Sequence, residues 1–341
     1  MMKHLTKIIA LFTLLLVAGQ GMKAQDVTFS QFYSNPLYYN PAFAGAKVCP
    51  RININFRNQW PALVSAFTTV SASYDQYVDG LHGGVGGMLF SDRQGDHGAL
   101  STSMATVMYA FRFQAAREVW VSAGLQAGLV NTSLDWENLR FPDMIDKVNG
   151  FINNTSAQIP PQTNVWYLDF AAGALIYGHS WYAGFSAQHL TQPSNGFYGV
   201  TKLPIKMTAN IGGLINISEE ARRTSSLGLG TPVISPNLIY QYQAGCHYFN
   251  YGVYLDWMPF LVGVWYRNGL TGVASQSPWN PDAFIFMVGL QQDHFKFGYS
   301  YDVTVSKLAN NTSGAHEISL GIMLPCPEKR HKVKAIRCPT F

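Results

Sequence analysis

The feature that most constrains this chain is an alternation of apolar and polar residues with a period of two, recurring in segments of about ten residues from Arg51 onward. Within 294–302, Phe295, Phe297, Tyr299 and Tyr301 share one face, while His294, Lys296, Gly298, Ser300 and Asp302 share the other. Phe249, Tyr251, Val253, Leu255 and Trp257 alternate in the same way with Tyr248, Asn250, Gly252, Tyr254 and Asp256. Segments beginning near Glu118 and Asn164 repeat the pattern. Successive side chains point to opposite faces only in a strand, so the chain is built from β-ribbons with one greasy side.

Those greasy faces meet either a second sheet or lipid. Charged residues are 12% of the chain, about half the usual share of a soluble domain, while aromatics reach 14% and glycines number 31. Beyond Val17 there is no run of eighteen apolar residues, which excludes helical membrane spans. The remaining way across a bilayer is a closed barrel, because only closure satisfies every backbone group in hydrocarbon.

Segment starts fall near Arg51, Ala66, His82, Gly98, Glu118, Asn164, Ser180, Pro204, Val233, Cys246, Met258, Pro281, His294 and Gly314. The expected fold is therefore all-β: a closed antiparallel transmembrane β-barrel of about fourteen strands over residues 51–324. Bacterial barrels alternate long outer loops with short periplasmic turns, and the long connections 131–163, 191–203, 268–280 and 304–313 are all odd-numbered. That places both termini on the periplasmic side. The even link 218–226 is longer than a turn and the odd link 243–245 is short, against the trend.

Residues 1–24 read as a signal peptide. Lys3, His4 and Lys7 precede an apolar run that ends by Val17, and Met-Lys-Ala stands before Gln25. Residues 25–50 follow, with Phe32, Tyr33, Tyr38, Tyr39 and Phe43 packed around two Asn-Pro steps. Proline lacks an N–H and biases the preceding residue away from helix, so Asn35-Pro36 and Asn40-Pro41 are two fixed bends, and the rings need a surface to pack on. An ordered plug or collar results, with Asn35, Pro36, Tyr39, Asn40, Pro41 and Gly45 as its marker residues.

Residues 325–341 form a basic tail, in which Lys329, Arg330, Lys332, Lys334 and Arg337 are opposed only by Glu328 and supply much of the formal net charge of +4. These five are candidate partner-binding residues. A signal peptide sends the four cysteines to an oxidising compartment. The first expectation is a Cys326–Cys338 bridge that compacts the tail; the alternative is Cys49–Cys326, because a closed barrel pairs its first strand with its last.

Catalytic spacing is missing from the sequence: there is no zinc pair of histidines, no Cys-x-x-Cys and no Ser/His/acid set on neighbouring strands. Gly83-Gly84-Val85-Gly86-Gly87 lacks the helix and the acidic residue of a nucleotide fold, and glycine within a curved strand is the better reading. Asp92, Arg93, Asp96 and His97 hold too few carboxylates for calcium. No enzyme, cofactor, metal or nucleic acid is expected.

Residues 31–45, Gln-Phe-Tyr-Ser-Asn-Pro-Leu-Tyr-Tyr-Asn-Pro-Ala-Phe-Ala-Gly, closely resemble the N-terminal motif of the PorP/SprF family, membrane proteins of the type IX secretion system of Bacteroidetes. Residues 298–307 with 314–321 resemble the family's closing hairpin, and 325–330 with 337–339 its cysteine-flanked basic tail. The resemblance implies an outer-membrane component of type IX export, with partners among the periplasmic ring or linker proteins or an exported adhesin-like protein, besides membrane lipid and lipopolysaccharide. Two other readings stay open. One is a transport barrel for a small apolar or nutrient molecule, with the N-terminal stretch as its plug and Tyr254, Trp265 and Gln188 along the path. The other is a soluble secreted sandwich.

Overall fold

The structure, a computed structural model, describes residues 26–47, 49–63, 66–95, 98–139, 141, 144–146, 150–151, 159–217, 232–271, 280–292, 294–305 and 312–326. The first six strands are β1 (Arg51–Gln59), β2 (Phe67–Val78), β3 (Gly83–Gln94), β4 (Leu100–Ala116), β5 (Val119–Leu134) and β6 (Asn164–Tyr177). Next come β7 (Trp181–Gln188), β8 (Lys206–Gly213, continuing as Ile215–Asn216), β9 (Val233–Gln243) and β10 (Cys246–Trp257). The ring is completed by β11 (Phe260–Thr271), β12 (Asn280–Gln292), β13 (Phe295–Thr304) and β14 (Ala315–Met323). A two-residue hairpin, Ile145–Asp146 with Gly150–Phe151, sits in the β5–β6 connection.

Every strand pairs antiparallel with its neighbours in sequence, and β14 returns to β1 along the whole of β1, from Arg51↔Met323 to Gln59↔Ala315. The sheet is counted as fifteen segments, but Lys206–Gly213 and Ile215–Asn216 are one strand interrupted at Leu214, which leaves fourteen. The ring is closed, so no strand presents a free edge to lipid along its full length.

The alternation sets the two faces. Leu89, Val107, Leu125, Leu168, Phe286 and Val288 are exposed on the outside of the ring, whereas Asn53, Asn55, Ser71, Ser73, Ser122, Asn250, Ser300 and Ser319 are buried inside it. This is the inverse of a soluble protein, and it excludes the sandwich, whose greasy faces would be covered. A lysine or arginine on that outer band costs about 2–4 kcal/mol at the bilayer midplane, which accounts for the low charge content.

The connections sort onto two rims. One carries 60–66, 95–99, 135–163, 189–205, 272–279 and 305–314, and is the loop-rich rim; the other carries the tight links 117–118, 178–180, 258–259 and 293–294. The short link at 244–245, on the loop-rich rim, is a two-residue hairpin turn in which Ala244 and Gly245 both have positive φ, 56° and 84°. The long link 217–232, at the tight-turn rim, lies mostly outside the described residues.

Candidate functional site

Residues 26–46 run down the lumen from one rim to the other. Each Asn-Pro step starts a single turn: Pro36–Tyr39 is α-helical, Pro41–Phe43 is 3-10, and proline stands at the first position of both, where its missing N–H costs nothing. Asn40 is extended, and its Oδ1 accepts from the Ala42 N–H at 2.9 Å, capping the second turn. The Tyr39 hydroxyl donates to the Phe29 carbonyl and accepts from the Phe29 N–H, both at 2.9 Å, and Tyr38 donates to the Val27 carbonyl at 2.7 Å. The two tyrosines thus fold residues 27–29 back against the helical turn.

Barrel and plug are tied at every level. Toward the tight-turn rim, the Gly45 N–H donates to Asp75 Oδ2 at 3.0 Å, Arg51 pairs with Asp75 at 2.9 Å, and Arg112 Nη2 donates to the Gly45 carbonyl at 2.7 Å. Gly45 has a φ of +64°, and a Cβ on Gly84 of β3 would lie 2.0 Å from the Ala44 carbonyl oxygen. Both positions require glycine, one for its backbone angle and one for the close approach of two main chains. Gly84 and Gly86 of the glycine run thus lie under the plug, the first against Ala44 and the second against Leu37. Asn40 Nδ2 donates to the Ala174 and Phe185 carbonyls at 3.2 Å, and Asn35 Nδ2 to Ser71 Oγ at 2.7 Å.

The middle is held by charge. Arg57 of β1 pairs with Asp302 of β13 at 2.9 Å and with Glu317 of β14 at 3.1 Å, and Arg267 of β11 reaches Asp302 at 3.3 Å. Ser30 of the plug sits between them: its hydroxyl donates to Asp302 Oδ2 at 2.6 Å and accepts from Arg57 at 2.7 Å and Arg267 at 2.8 Å. The Glu317 carboxylate accepts the backbone N–H of Ser30 at 2.7 Å and of Gln31 at 3.1 Å. Burying four ionised groups is costly unless they are paired and hydrogen-bonded, and here the plug completes that pairing. On the tight-turn side of this cluster, Phe32 packs on Trp265 at 4.9 Å and Tyr33 on Tyr254 at 5.9 Å between ring centres.

At the loop-rich rim Asp26 contacts His189 at 2.8 Å and Lys206 at 3.5 Å, and its N–H donates to Gln243 at 2.9 Å. His189 Nδ1 lies 3.0 Å from Asp169. Burial works to lower the His189 pKa, but the Asp26 carboxylate, helped by Asp169, outweighs it and raises the imidazole from 6.5 to about 9. Burial likewise works to raise Asp26, and His189 and Lys206 hold it well below the usual carboxylate range instead.

The marker residues Asn35, Pro36, Tyr39, Asn40, Pro41 and Gly45 are thus all buried in the lumen. Tyr254, Trp265 and Gln188, expected along an open path, close on the plug: the first two against its rings, the third by donating to the Tyr38 carbonyl at 2.5 Å. The Cys326–Cys338 expectation is corrected, because Cys326 is bonded to Cys49, with the two Cα atoms 4.4 Å apart. The β1–β14 ladder ends at Arg51↔Met323 and delivers the two cysteines to one point on the tight-turn rim. Cys338 and the basic residues Lys329, Arg330, Lys332, Lys334 and Arg337 lie outside the described residues, as do residues 1–25. The described chain also begins and ends at opposite rims, Asp26 among the loops and Cys326 among the turns, where the sequence suggested a shared side.

Residues 21–322 match the family described as Type IX secretion system membrane protein PorP/SprF. The chain belongs to this family. With the closed greasy ring, membership places this PorP/SprF chain in the outer membrane as a type IX secretion component. No curated protein matches it. Among solved structures it is similar to the Ralstonia pickettii toluene transporter TbuX, at 9% identity and a TM-score of 0.47, over 90% of this chain and 97% of that one. A Pseudomonas aeruginosa FadL homologue aligns at 10% identity and a TM-score of 0.45, covering 88% and 99% of the two chains. The Acinetobacter baumannii outer membrane protein Omp33 aligns at 7% and 0.44, covering 82% and 100%.

Sequence reading missed Arg57, Arg267, Glu317, Ser30, Asp26 and His189. The signal was available for Arg57 and Glu317: charges are scarce in this chain, and these two share with Asp302 the polar parity of strands that closure makes neighbours.

Proposed function

We propose that this PorP/SprF chain works as a plugged docking scaffold, which holds periplasmic secretion machinery at its tight-turn rim and an exported surface protein at its loop-rich rim. The observation that carries this reading is the plug: residues 26–46 occupy the lumen from rim to rim, held in the middle by hydrogen bonds of Ser30 and Gln31 to a buried ion cluster and at the loop-rich rim by the ion pairs of Asp26, so the rims are the surfaces offered to a large partner. The Cys49–Cys326 bond supports it further. It fixes the root of the basic tail beside the point where the plug leaves the lumen.

The test is to replace Lys329, Arg330, Lys332, Lys334 and Arg337 with glutamine in the full chain. Export or surface display of the adhesin should fall, while the amount of heat-modifiable barrel in outer-membrane fractions stays unchanged. Undiminished export would refute docking through the tail. The transport reading makes the opposite demand: the intact chain should pass solute in liposome swelling, and neutralising the tail should not matter.

A further inference from the structure

Beside the plug, in the loop-rich half of the lumen, lies a cavity of about 200 Å³ walled by β3 to β6. Its lining surface is mostly apolar, with Val27 of the plug, Met88, Phe90, Met104 and Val130 of the barrel, and Phe197 of the 189–205 connection. An apolar cavity of roughly 150 Å³ in a protein interior stays dry and accepts benzene, because water requires two to four polar partners. This one is somewhat larger.

About half of its lining residues are polar, and several of these are committed to one another. Asp92 accepts from Thr69 at 2.7 Å and from Gln94 at 2.6 Å, and His189 is held between Asp26 and Asp169. Gln126 is the exception: it is 5% exposed, lines the cavity, and its Oε1 has no hydrogen-bond partner among the described residues. A buried acceptor left unmade costs free energy that a donor from outside would recover. Three carboxylates, Asp26, Asp92 and Asp169, line the same space against one cationic ring, His189, and that excess of negative charge disfavours an anion.

The wall over the cavity is partly loop. The β6–β7 ladder ends at Ala172↔Ala187, followed by one bond from the Leu190 N–H to the Phe170 carbonyl at 3.0 Å. Beyond that, Tyr167 and Asp169 of β6 share the lining with Asn195, Phe197 and Leu203, on a small hairpin closed by the Ser194↔Lys202 bridge and a bond from the Leu203 N–H to Pro193. This part of the wall is therefore held by loop contacts and not by the strand ladder.

We propose that this cavity is a binding site for an uncharged molecule the size of one aromatic ring, bearing a hydroxyl or N–H that donates to Gln126 Oε1. The probe is 4-fluorophenol, added to the full chain in lipid nanodiscs and followed by fluorine NMR against empty nanodiscs. The expected result is one saturable bound signal, weakened about five- to tenfold by Gln126→Leu, the loss of one hydrogen bond. It should vanish in Met104→Trp, which fills the space, and 4-fluorobenzoate should not compete. Should Met104→Trp fail to give a heat-modifiable barrel, Val130→Phe fills the same cavity from β5. A signal that grows without saturation, persists in the filled variant, or yields to the benzoate overturns the proposal.

Discussion

Replacing Arg57 with methionine should release the plug while leaving the wall standing. Arg57 is 1% exposed and makes three of the contacts that hold residue 30 and its neighbours: to Asp302 at 2.9 Å, to Glu317 at 3.1 Å and to the Ser30 hydroxyl at 2.7 Å. Methionine retains most of the side-chain volume, so packing is largely conserved. What changes is charge. Arg267 still faces Asp302, but Glu317 keeps only the two backbone N–H groups of Ser30 and Gln31. Removing one member of a buried ionic cluster costs about 3–5 kcal/mol. At about 1.4 kcal/mol per tenfold, the docked plug loses a factor of about a hundred to a few thousand in population over the released one. The wall ladders do not involve this side chain.

A cysteine at Ser73 reports the change. Ser73 is buried in the lumen, and its hydroxyl has no hydrogen-bond partner among the described residues, so Ser73→Cys is nearly isosteric and breaks nothing. Maleimide labelling of this cysteine should be slow with Arg57 present and faster by at least a hundredfold in Arg57→Met, with the heat-modifiable band intact. Adding Asp302→Asn and Glu317→Gln should restore much of the protection, because the stranded charges are gone. Equal labelling rates with and without Arg57 would show that something other than the ion cluster holds the plug.

Gly84→Ala should also loosen the plug, by about 1–3 kcal/mol, because the new methyl meets the Ala44 carbonyl at 2.0 Å and neither main chain can yield; the same labelling assay reads it. His189 makes the outer anchor pH-dependent. Its pKa is raised from 6.5 to about 9, so its stabilisation of the Asp26 contact is fully present below pH 6.5 and is lost as pH rises through about 9. Labelling of Thr28→Cys, taken relative to the thiolate fraction of a free cysteine, should therefore accelerate between pH 7 and pH 10, and His189→Gln should flatten that corrected dependence. Cys326→Ser should lower the heat-modification midpoint by the equivalent of about 2–4 kcal/mol, whereas Cys338→Ser should leave it unchanged.

The wall was legible in the sequence to a degree the lumen was not. Each expected segment start lies within two residues of an observed strand, because the greasy-polar alternation is written locally and turn residues punctuate it. The plug was visible as well, through two Asn-Pro steps and five rings. Its direction was not, since nothing in residues 26–46 says that Asp26 finds His189 and Lys206 among the loops while Gly45 finds Asp75 among the turns. The disulfide shows the same divide. Cys326 and Cys338 are near in sequence, and Cys49 becomes near only once β1 and β14 have paired.

That bond has a topological consequence. Cys49 and Cys326 are 277 residues apart, and joining them makes the whole wall one covalent macrocycle from which the plug and the tail hang as two branches. A protease that nicks any single surface connection opens the circle without dividing the molecule. The nicked protein should migrate as one species until a reductant is added and as two fragments afterwards, so the two rims stay fastened to the same polymer through an injury that would sever an ordinary linear chain.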